Sequence, residues 1–399
     1  MTQSEVPALG SVMRGMILPV YLPSFLTAVA QNAIQIVLPL YALDLGGDAA
    51  AAATVVGLRG VGTMVMDVPA GVAVSRLGDK WVMAGGLGLL FVMSLVAATA
   101  DGIWLLSLVA LMFGMGLGVW LLARLNYVTD SAPIAVRGRV ISVMAGLQRA
   151  GALVGPVTGG IVVETYGYST LFIGTAVLFA SSLAVILVFG RAARPDLDGH
   201  PMHARLTAVV RENVRTFATA GSAMVALQIL RAARLLLIPL WGAMLGLDTS
   251  TIGLVFSLSS AFDMVMFYPA GLILDHVGRK VAGVTSILLL ATALALLPAT
   301  TGFWSFLGVA ALSGIGNGFG TGIFMTFGGD LSPRTRRGEF LGVWRLVGDV
   351  GTASGPFMIA GLAGLLSLPA ACLVVAALGV AGAGVLGVLV PEPLRREGG

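Results

Sequence analysis

The sequence predicts an all-α polytopic membrane protein, twelve transmembrane helices arranged as two pseudo-symmetric six-helix bundles. Three observations carry that prediction. Charged residues make up 11% of the chain and hydrophobic ones 57%, against roughly a quarter and a half in soluble domains. Apolar stretches of about 20 residues or more, the length a helix needs to cross a bilayer, follow one another along the chain. Finally, the chain repeats itself at a constant, ungapped offset that takes residue 71 to residue 271.

The repeat is read most easily where Gly71-Val-Ala-Val-Ser75-Arg-Leu-Gly78-Asp-Lys80 recurs as Gly271-Leu-Ile-Leu-Asp275-His-Val-Gly278-Arg-Lys280. The same shift pairs Pro39 with Pro239, Trp104 with Trp304, Gly114 with Gly314 and Asp130 with Asp330. It also pairs Arg137-Gly138 with Arg337-Gly338 and Gly155-Pro156 with Gly355-Pro356. Two equal halves, each too apolar for water, are the sequence form of a transporter built from a duplicated unit. A site between such halves can face either side of the membrane in turn.

In chain order the apolar stretches place spans at 16–43, 50–74, 82–100, 103–127, 140–164 and 169–190 in the first half. The second half follows with 217–246, 250–274, 281–300, 303–327, 339–365 and 367–390. The 55 glycines disfavour soluble helices but let membrane helices pack closely. Alternate short loops carry the cations: Arg76 and Lys80, Arg137 and Arg139, Arg279 and Lys280, then Arg334, Arg336 and Arg337. The loops between them, near 44–49, 101–102, 165–168, 247–250, 299–302 and 364–367, hold no Lys or Arg. The positive-inside rule therefore puts both termini and the central segment in the cytoplasm of a cell whose inner membrane holds the chain.

The net charge of +4 is thus topological, and no basic surface suited to nucleic acid is expected. The first span is too long for a cleavable signal. The expected domains are an N-terminal bundle at 1–190, a cytoplasmic linker at 191–216 and a C-terminal bundle at 217–399. The linker adds Arg191, Arg194, Arg205, Arg211 and Arg215, and the tail adds Arg395 and Arg396. Between Arg205 and Phe217, Leu206, Val209, Val210, Val214 and Phe217 fall near one face, which suits a helix lying on the membrane surface. Cys372 stands alone in an apolar span, which excludes a disulfide framework. His200 and His203 sit in the polar linker without further ligands, so no metal site is expected, and no cofactor.

The pattern Gly-x-x-x-Asp-x-x-Gly-Arg-Lys, complete at Gly271, Asp275, Gly278, Arg279 and Lys280, resembles the loop signature between spans 2–3 and 8–9 of the major facilitator superfamily. The span count, topology, linker and repeat extend that resemblance over essentially the whole chain. It implies a gate at the cytoplasmic side, built from Gly71, Arg76, Gly78 and Lys80 together with their second-half counterparts. Asp130 and Asp330, closing spans 4 and 10, are its expected acidic partners. The first copy departs from the family pattern, with Ser75 in place of Asp and Asp79 in place of Arg, so the latch is expected to lean on the second copy. Merely basic, topology-setting loops are the alternative.

Span 5 carries Gly151-Ala-Leu-Val-Gly155-Pro156-Val-Thr-Gly159-Gly160, similar to the antiporter motif of the twelve-span drug/proton exporters of that superfamily. An earlier glycine of that pattern falls at Ser142, and the second half has Ile359-Ala360 for the glycine pair. A Gly-Pro pair loosens the helix ladder, and the glycine stripe lets a neighbour approach. Generic small-residue packing is the other reading of the same stripe.

Ionisable groups inside spans are costly unless paired or hydrated. The clearest here are Arg59 and Asp67 on span 2, Arg149 on span 5, Arg231 and Arg234 on span 7, Asp263 on span 8, and Arg345 and Asp349 on span 11. Matching depths, with the superfamily's facing of spans 2 and 11 and of spans 5 and 8, imply cross-seam pairs Asp67–Arg345 and Arg149–Asp263, with Arg59–Asp349 a third. Arg345 and Asp349 have an i, i+4 pairing open to them as well. Proton coupling is expected first at Asp263, then at Asp67, then at Asp349. The alternative is that these pairs hold the halves together and never change protonation.

Gln31, Asn32 and Gln35 on span 1 and Gln228, Arg231 and Arg234 on span 7 form polar stripes near mid-membrane. The resemblance implies that spans 1, 4, 7 and 10 line a central cavity, which adds Trp120 and Asn317. Arg124, near the cytoplasmic end of span 4, is expected at the gate with Asp130. Those four spans hold no mid-membrane carboxylate, so a positive, apolar cavity favours neutral or anionic amphipaths. The resulting expectation is a monomeric, alternating-access exporter of small amphipathic compounds coupled to protons. Uptake or exchange of an anionic metabolite, clamped by Arg231 and Arg234, and a non-transporting scaffold or sensor are the rivals. No grouping suited to an enzyme appears.

Overall fold

In the computed structural model, residues 15–190, 209–333 and 336–392 are described, the side chains of residues 134 and 135 excepted. His200, His203, Leu206, Arg191, Arg194, Arg205, Arg334, Arg395 and Arg396 lie outside the described residues. Within them are 11 helices long and apolar enough to cross a membrane. One of these, Ile134–Phe189, has 56 residues. At about 1.5 Å per residue it would be far longer than a bilayer core of about 30 Å. It is broken at Gly167, whose φ of 83° and ψ of 170° no L side chain adopts comfortably. Spans 5 and 6 are its two arms, and the spans number twelve.

The remaining spans follow the expected order: span 1 at Ile17–Asp44, span 2 at Ala49–Leu77, span 3 at Asp79–Ala97 and span 4 at Ile103–Ser131. In the second half, span 7 is Val214–Met244, span 8 Thr249–His276, span 9 Arg279–Ala299, span 10 Phe303–Leu331, span 11 Arg337–Leu365 and span 12 Leu368–Leu389. The expected boundaries are met within a few residues. The linker segment contributes Val209, packed in the core, while Val210 and Val214 remain exposed.

The repeat is visible in backbone detail. Both halves begin with a π-helical turn, Ile17–Tyr21 and Phe217–Gly221. Asp48 and Asp248 cap spans 2 and 8, accepting from the backbone N–H of Ala51 at 2.8 Å and of Thr251 at 2.6 Å. The 2–3 and 8–9 turns need a residue between two nearly abutting helices, and Gly78 and Gly278 supply it with φ of 80° and 141°. Symmetry fails in span 10. Span 4 runs unbroken through Trp120, whereas its counterpart Gly320 starts a three-residue break, Gly320-Thr321-Gly322, before the helix resumes at Ile323–Leu331.

The halves meet where span 2 packs along span 11 and span 5 along span 8. Their contact is tight at the end away from the cationic loops. There a Cβ on Gly57 would stand 2.9 Å from the Phe357 ring, and one on Gly60 3.2 Å from Ala353 Cα. Thr249 N–H donates to Glu164 (3.1 Å) and Val157 N–H to Ser257 Oγ (3.0 Å). Towards the cationic loops, which we call the basic end, a Cβ on Gly71, Gly146, Gly271 or Gly342 meets nothing within 4 Å. The seam is closed at one end and parted at the basic end.

Candidate functional site: a central cationic cavity

A cavity of about 610 Å³ lies between the halves. Its walls come from spans 1, 4, 5, 7, 8 and 10, through Gln31, Asn32, Arg124, Gln148, Arg149, Arg231, Arg234, Asp263, Asn317, Thr321 and Gly322. Span 5 sets the position of span 1. Gly151, Gly155 and Gly159 have span 1 atoms of residues 28 to 33 where their Cβ atoms would be, so the two helices touch backbone to backbone. Gly160 and the Pro156 carbonyl face span 8 instead, against Thr249, Ser250 and Gly253. The glycine-rich segment is thus the contact surface of span 5 with both a cavity helix and the opposite half.

The cavity's charge is lopsided. Arg124, Arg149, Arg231 and Arg234 line it against one carboxylate, Asp263, among the described residues. Asp263 is held on two sides: Asn317 Nδ2 donates to Oδ2 at 2.7 Å, and Arg149 Nη1 stands 3.7 Å from Oδ1. Arg149 also lies over the Phe267 ring, 4.2 Å from its centroid. The pairing of Arg149 with Asp263 across the seam is therefore present.

Arg231 donates from Nη1 to Gln228 Oε1 (3.2 Å), and its buried Nε has no hydrogen-bond partner. Arg234 differs from the expected clamp. Its Nε donates to Ser313 (3.0 Å) and its Nη2 to Ser259 (2.8 Å), with Phe256 beneath it. Hydroxyls of spans 8 and 10 thus satisfy a guanidinium that is 3% exposed, and Arg234 knits its own bundle together.

Four further placements differ from expectation. Arg124 belongs to the cavity rather than the gate. It stacks near Trp120 (5.6 Å) and lies 3.0 Å from Gln148 when the amide oxygen of that residue faces it; Gln148 in turn meets Gln31 at 2.9 Å. Trp120 is fully buried and is not among the cavity's walls, whereas at its counterpart Gly320 the side chains of Ser286 and Arg231 occupy the space beside the backbone. Gln35 turns into a smaller cavity of about 230 Å³ shared with Arg59 and Asp349. Gln228 serves Arg231 and reaches Thr352 at 3.4 Å.

That smaller cavity also corrects the third expected pair. Arg59 and Asp349 border it, yet no ion pair joins them among the described residues. One helical turn puts Asp349 beside Arg345 instead, at 3.8 Å, and its carboxyl faces that of Asp67. Arg345 reaches across the seam to Asp67 at 3.2 Å. The i, i+4 pairing and the cross-seam pairing coexist on one guanidinium.

At the basic end the two gate copies differ. Arg279 Nε donates to Asp330 at 3.0 Å, and its Nη1 stands 3.7 Å from Asp275. Glu392 accepts from the backbone N–H of Arg279 (2.9 Å) and of Lys280 (3.0 Å). In the first copy Lys80 donates to the Leu187 carbonyl at 2.8 Å, and no ion pair holds Asp130 among the described residues. None of these gate contacts crosses the seam.

Gln148, Ser259, Ser313 and the break at Thr321-Gly322 join the site without having been expected from the sequence. The run Gly314-Ile-Gly316-Asn-Gly318-Phe-Gly320-Thr-Gly322 is a legible signal for the break. The serines give none, since a hydroxyl in a span more often bonds its own helix.

Twelve spans in two repeats, enclosing a polar cavity that one end exposes, define a membrane transporter. The chain belongs to the major facilitator superfamily, whose family model matches residues 20–242 and 216–399. It is similar to the MFS-type transporter ppzB of Metarhizium rileyi, 34% identical over 123 residues that are 31% of this chain and 26% of the fungal protein. The ppzB protein of Metarhizium majus is 32% identical over the same length, 27% of its own. These matches span about a quarter of the length of the fungal relatives. In fold it resembles a POT family transporter solved with a thioalcohol-conjugated peptide, with a TM-score of 0.81, 12% identity, and 94% and 96% of the two chains covered. It also resembles a point mutant of the nucleoside transporter NupG, with a TM-score of 0.78, 14% identity, and 95% and 100% covered.

Proposed function

We propose that this transporter exports small amphipathic compounds, neutral or anionic, in exchange for protons, with the basic end, both termini and the central segment on the cytoplasmic side of the inner membrane. The observation that carries the substrate class is the cavity's charge, four guanidinium groups against one carboxylate. In a low-dielectric cavity such an excess repels cations and attracts anions or electron-rich groups. The similarity of the span 5 segment to the exporters' motif supports the direction. Loading would occur from the basic end, where the seam is parted.

Coupling is assigned first to Asp263, which shares the cavity with the substrate. Taking up a proton requires it to separate from Arg149 and Asn317, because a nearby cation and a donor both favour the carboxylate. Asp67 and Asp349, one arginine between two acids, follow.

The Arg149–Asp263 contact also favours a second reading, uptake or exchange of an anionic metabolite. Protonating Asp263 frees cationic groups for an incoming anion, so proton and anion would enter together. A pH gradient imposed on proteoliposomes separates the readings, with matched anionic, neutral and cationic amphipaths offered. Export by exchange expects substrate and protons to move in opposite directions, and Arg231→Gln to weaken the response to anions. Movement in the same direction supports the second reading. A response confined to cations overturns both assignments of substrate class, and silence with every compound favours a scaffold or sensor.

A further inference from the structure

The smaller cavity lies along the seam of spans 2 and 11, as the larger one lies along that of spans 5 and 8, and Leu235 of span 7 borders both. Two seam contacts bracket it. On the closed side Gly60 abuts span 11, where a Cβ would stand 3.2 Å from Ala353 Cα. Nearer the basic end, Arg345 meets Asp67 at 3.2 Å.

Between these contacts two opposite charges border one space without meeting. Arg59, half-buried on span 2, makes no side-chain hydrogen bond or ion pair among the described residues. The Gln35 amide of span 1, which lines the same cavity, makes none among them either. Asp349 of span 11 stands 3.8 Å from Arg345, and its Oδ2 has no hydrogen-bond partner. Charges at membrane depth are costly without partners. Arg59 and Arg345 balance Asp67 and Asp349 across this seam, so no net charge calls for a lone counter-ion. The larger cavity differs, with four guanidinium groups against one carboxylate. What the smaller one lacks is an acceptor for Arg59 and Gln35 in one half and a donor for Asp349 in the other. A carboxylate fits the guanidinium fork, and an ammonium brings three donors. An isolated anion or cation satisfies one side only.

We infer that the smaller cavity is a second binding site, separate from the central one, for a compact zwitterion whose carboxylate engages Arg59 and Gln35 and whose ammonium engages Asp349. The cavity of about 230 Å³, at about 30 Å³ for a water in the liquid, holds roughly eight heavy atoms, the size of a short amino acid. Leu117 and Leu235 in its walls suit a methylene chain. Neither the compound in the central cavity nor the direction of transport bears on this site.

Calorimetric titration of the full chain in nanodiscs, with the ω-amino acids from glycine to 6-aminohexanoate, probes the site with ligands of graded length. Affinity should peak within the series. Propanoate and propylamine, with one charge each, should bind roughly tenfold or more weakly than the best member, for want of one charge-assisted hydrogen bond. Arg59→Gln and Asp349→Asn should each weaken that member by roughly tenfold to a hundredfold for the same reason, and Arg231→Gln in the central cavity should leave it unchanged. The double variant strands no charge, so it keeps the test decisive if a single one fails to fold. If no member of the series binds, the inference fails. If propanoate binds as tightly as the best member and Asp349→Asn changes nothing, the site takes anions and the zwitterion is refuted. Loss confined to Arg231→Gln would put the binding in the central cavity and overturn the second site.

Discussion

Replacing Gly160 with alanine tests the seam most directly. A Cβ there would stand 2.5 Å from the Thr249 carbonyl oxygen and 3.0 Å from Ser250 Cα, where ordinary contact begins at 3.4 Å. The shortfall is 3.4 − 2.5, or 0.9 Å. Both obstructing atoms are backbone in the first turn of span 8, so no rotamer change relieves the clash. Overpacking of this kind costs about 1–3 kcal/mol. The clash exists only while this end of the seam is shut, so the penalty falls on one conformer. A bias of that size shifts a two-state population roughly 5- to 150-fold. The chain carries one native cysteine, Cys372, which is buried, so an introduced thiol can be followed alone. Ser257→Cys places one in the closed seam, where the serine is 5% exposed. Labelling by an impermeant maleimide from the side opposite the basic end should speed up by that factor in Gly160→Ala. Unchanged labelling in a folded protein would show that spans 5 and 8 do not part there.

Other substitutions separate binding from scaffolding. Arg231→Gln should weaken an anionic substrate roughly tenfold to a hundredfold, the worth of a charge-assisted hydrogen bond, with little change in thermal unfolding. Arg234→Gln should do the reverse, lowering stability by about 1–3 kcal/mol as the Ser259 and Ser313 network loses its donor. Gly167→Ala forces a β-carbon into a conformation reserved for glycine and should cost of the order of 1–3 kcal/mol in thermal unfolding. Gly174→Ala, with open space around it, should be neutral. At Asp248, the hydroxyl and backbone N–H of Thr251 hold the carboxyl below its ordinary range. Its contribution is therefore full above the unfolded value of about 3.9 and is lost as pH falls through the lower folded one. Wild-type and Asp248→Asn stabilities should differ above that window and converge in acid.

What the sequence by itself determined is the membrane class, the twelve spans, the repeat and the depth of each buried charge. Composition forces the first, and length and the fixed offset force the next two. Depth, together with the facing of spans 2 and 11 and of spans 5 and 8 that the family resemblance implies, sufficed for Asp67–Arg345 and Arg149–Asp263, because each places one acid and one base at matching levels. Tertiary structure alone decided what depth leaves open. Arg231 and Arg234 are three residues apart on one span and both border the cavity, yet one keeps a free Nε and the other is absorbed by two serines. Arg124 sits among cavity residues, Trp120 vanishes into packing, and Asp349 prefers its own helix and Asp67 to Arg59. The physical reason is common to these cases. Helical spacing fixes how residues lie relative to one another on a helix. In a membrane both lipid and bundle interior are apolar, so hydrophobicity scarcely marks which way the helix is turned. That rotation, and the end at which the halves part, come only from close packing between helices.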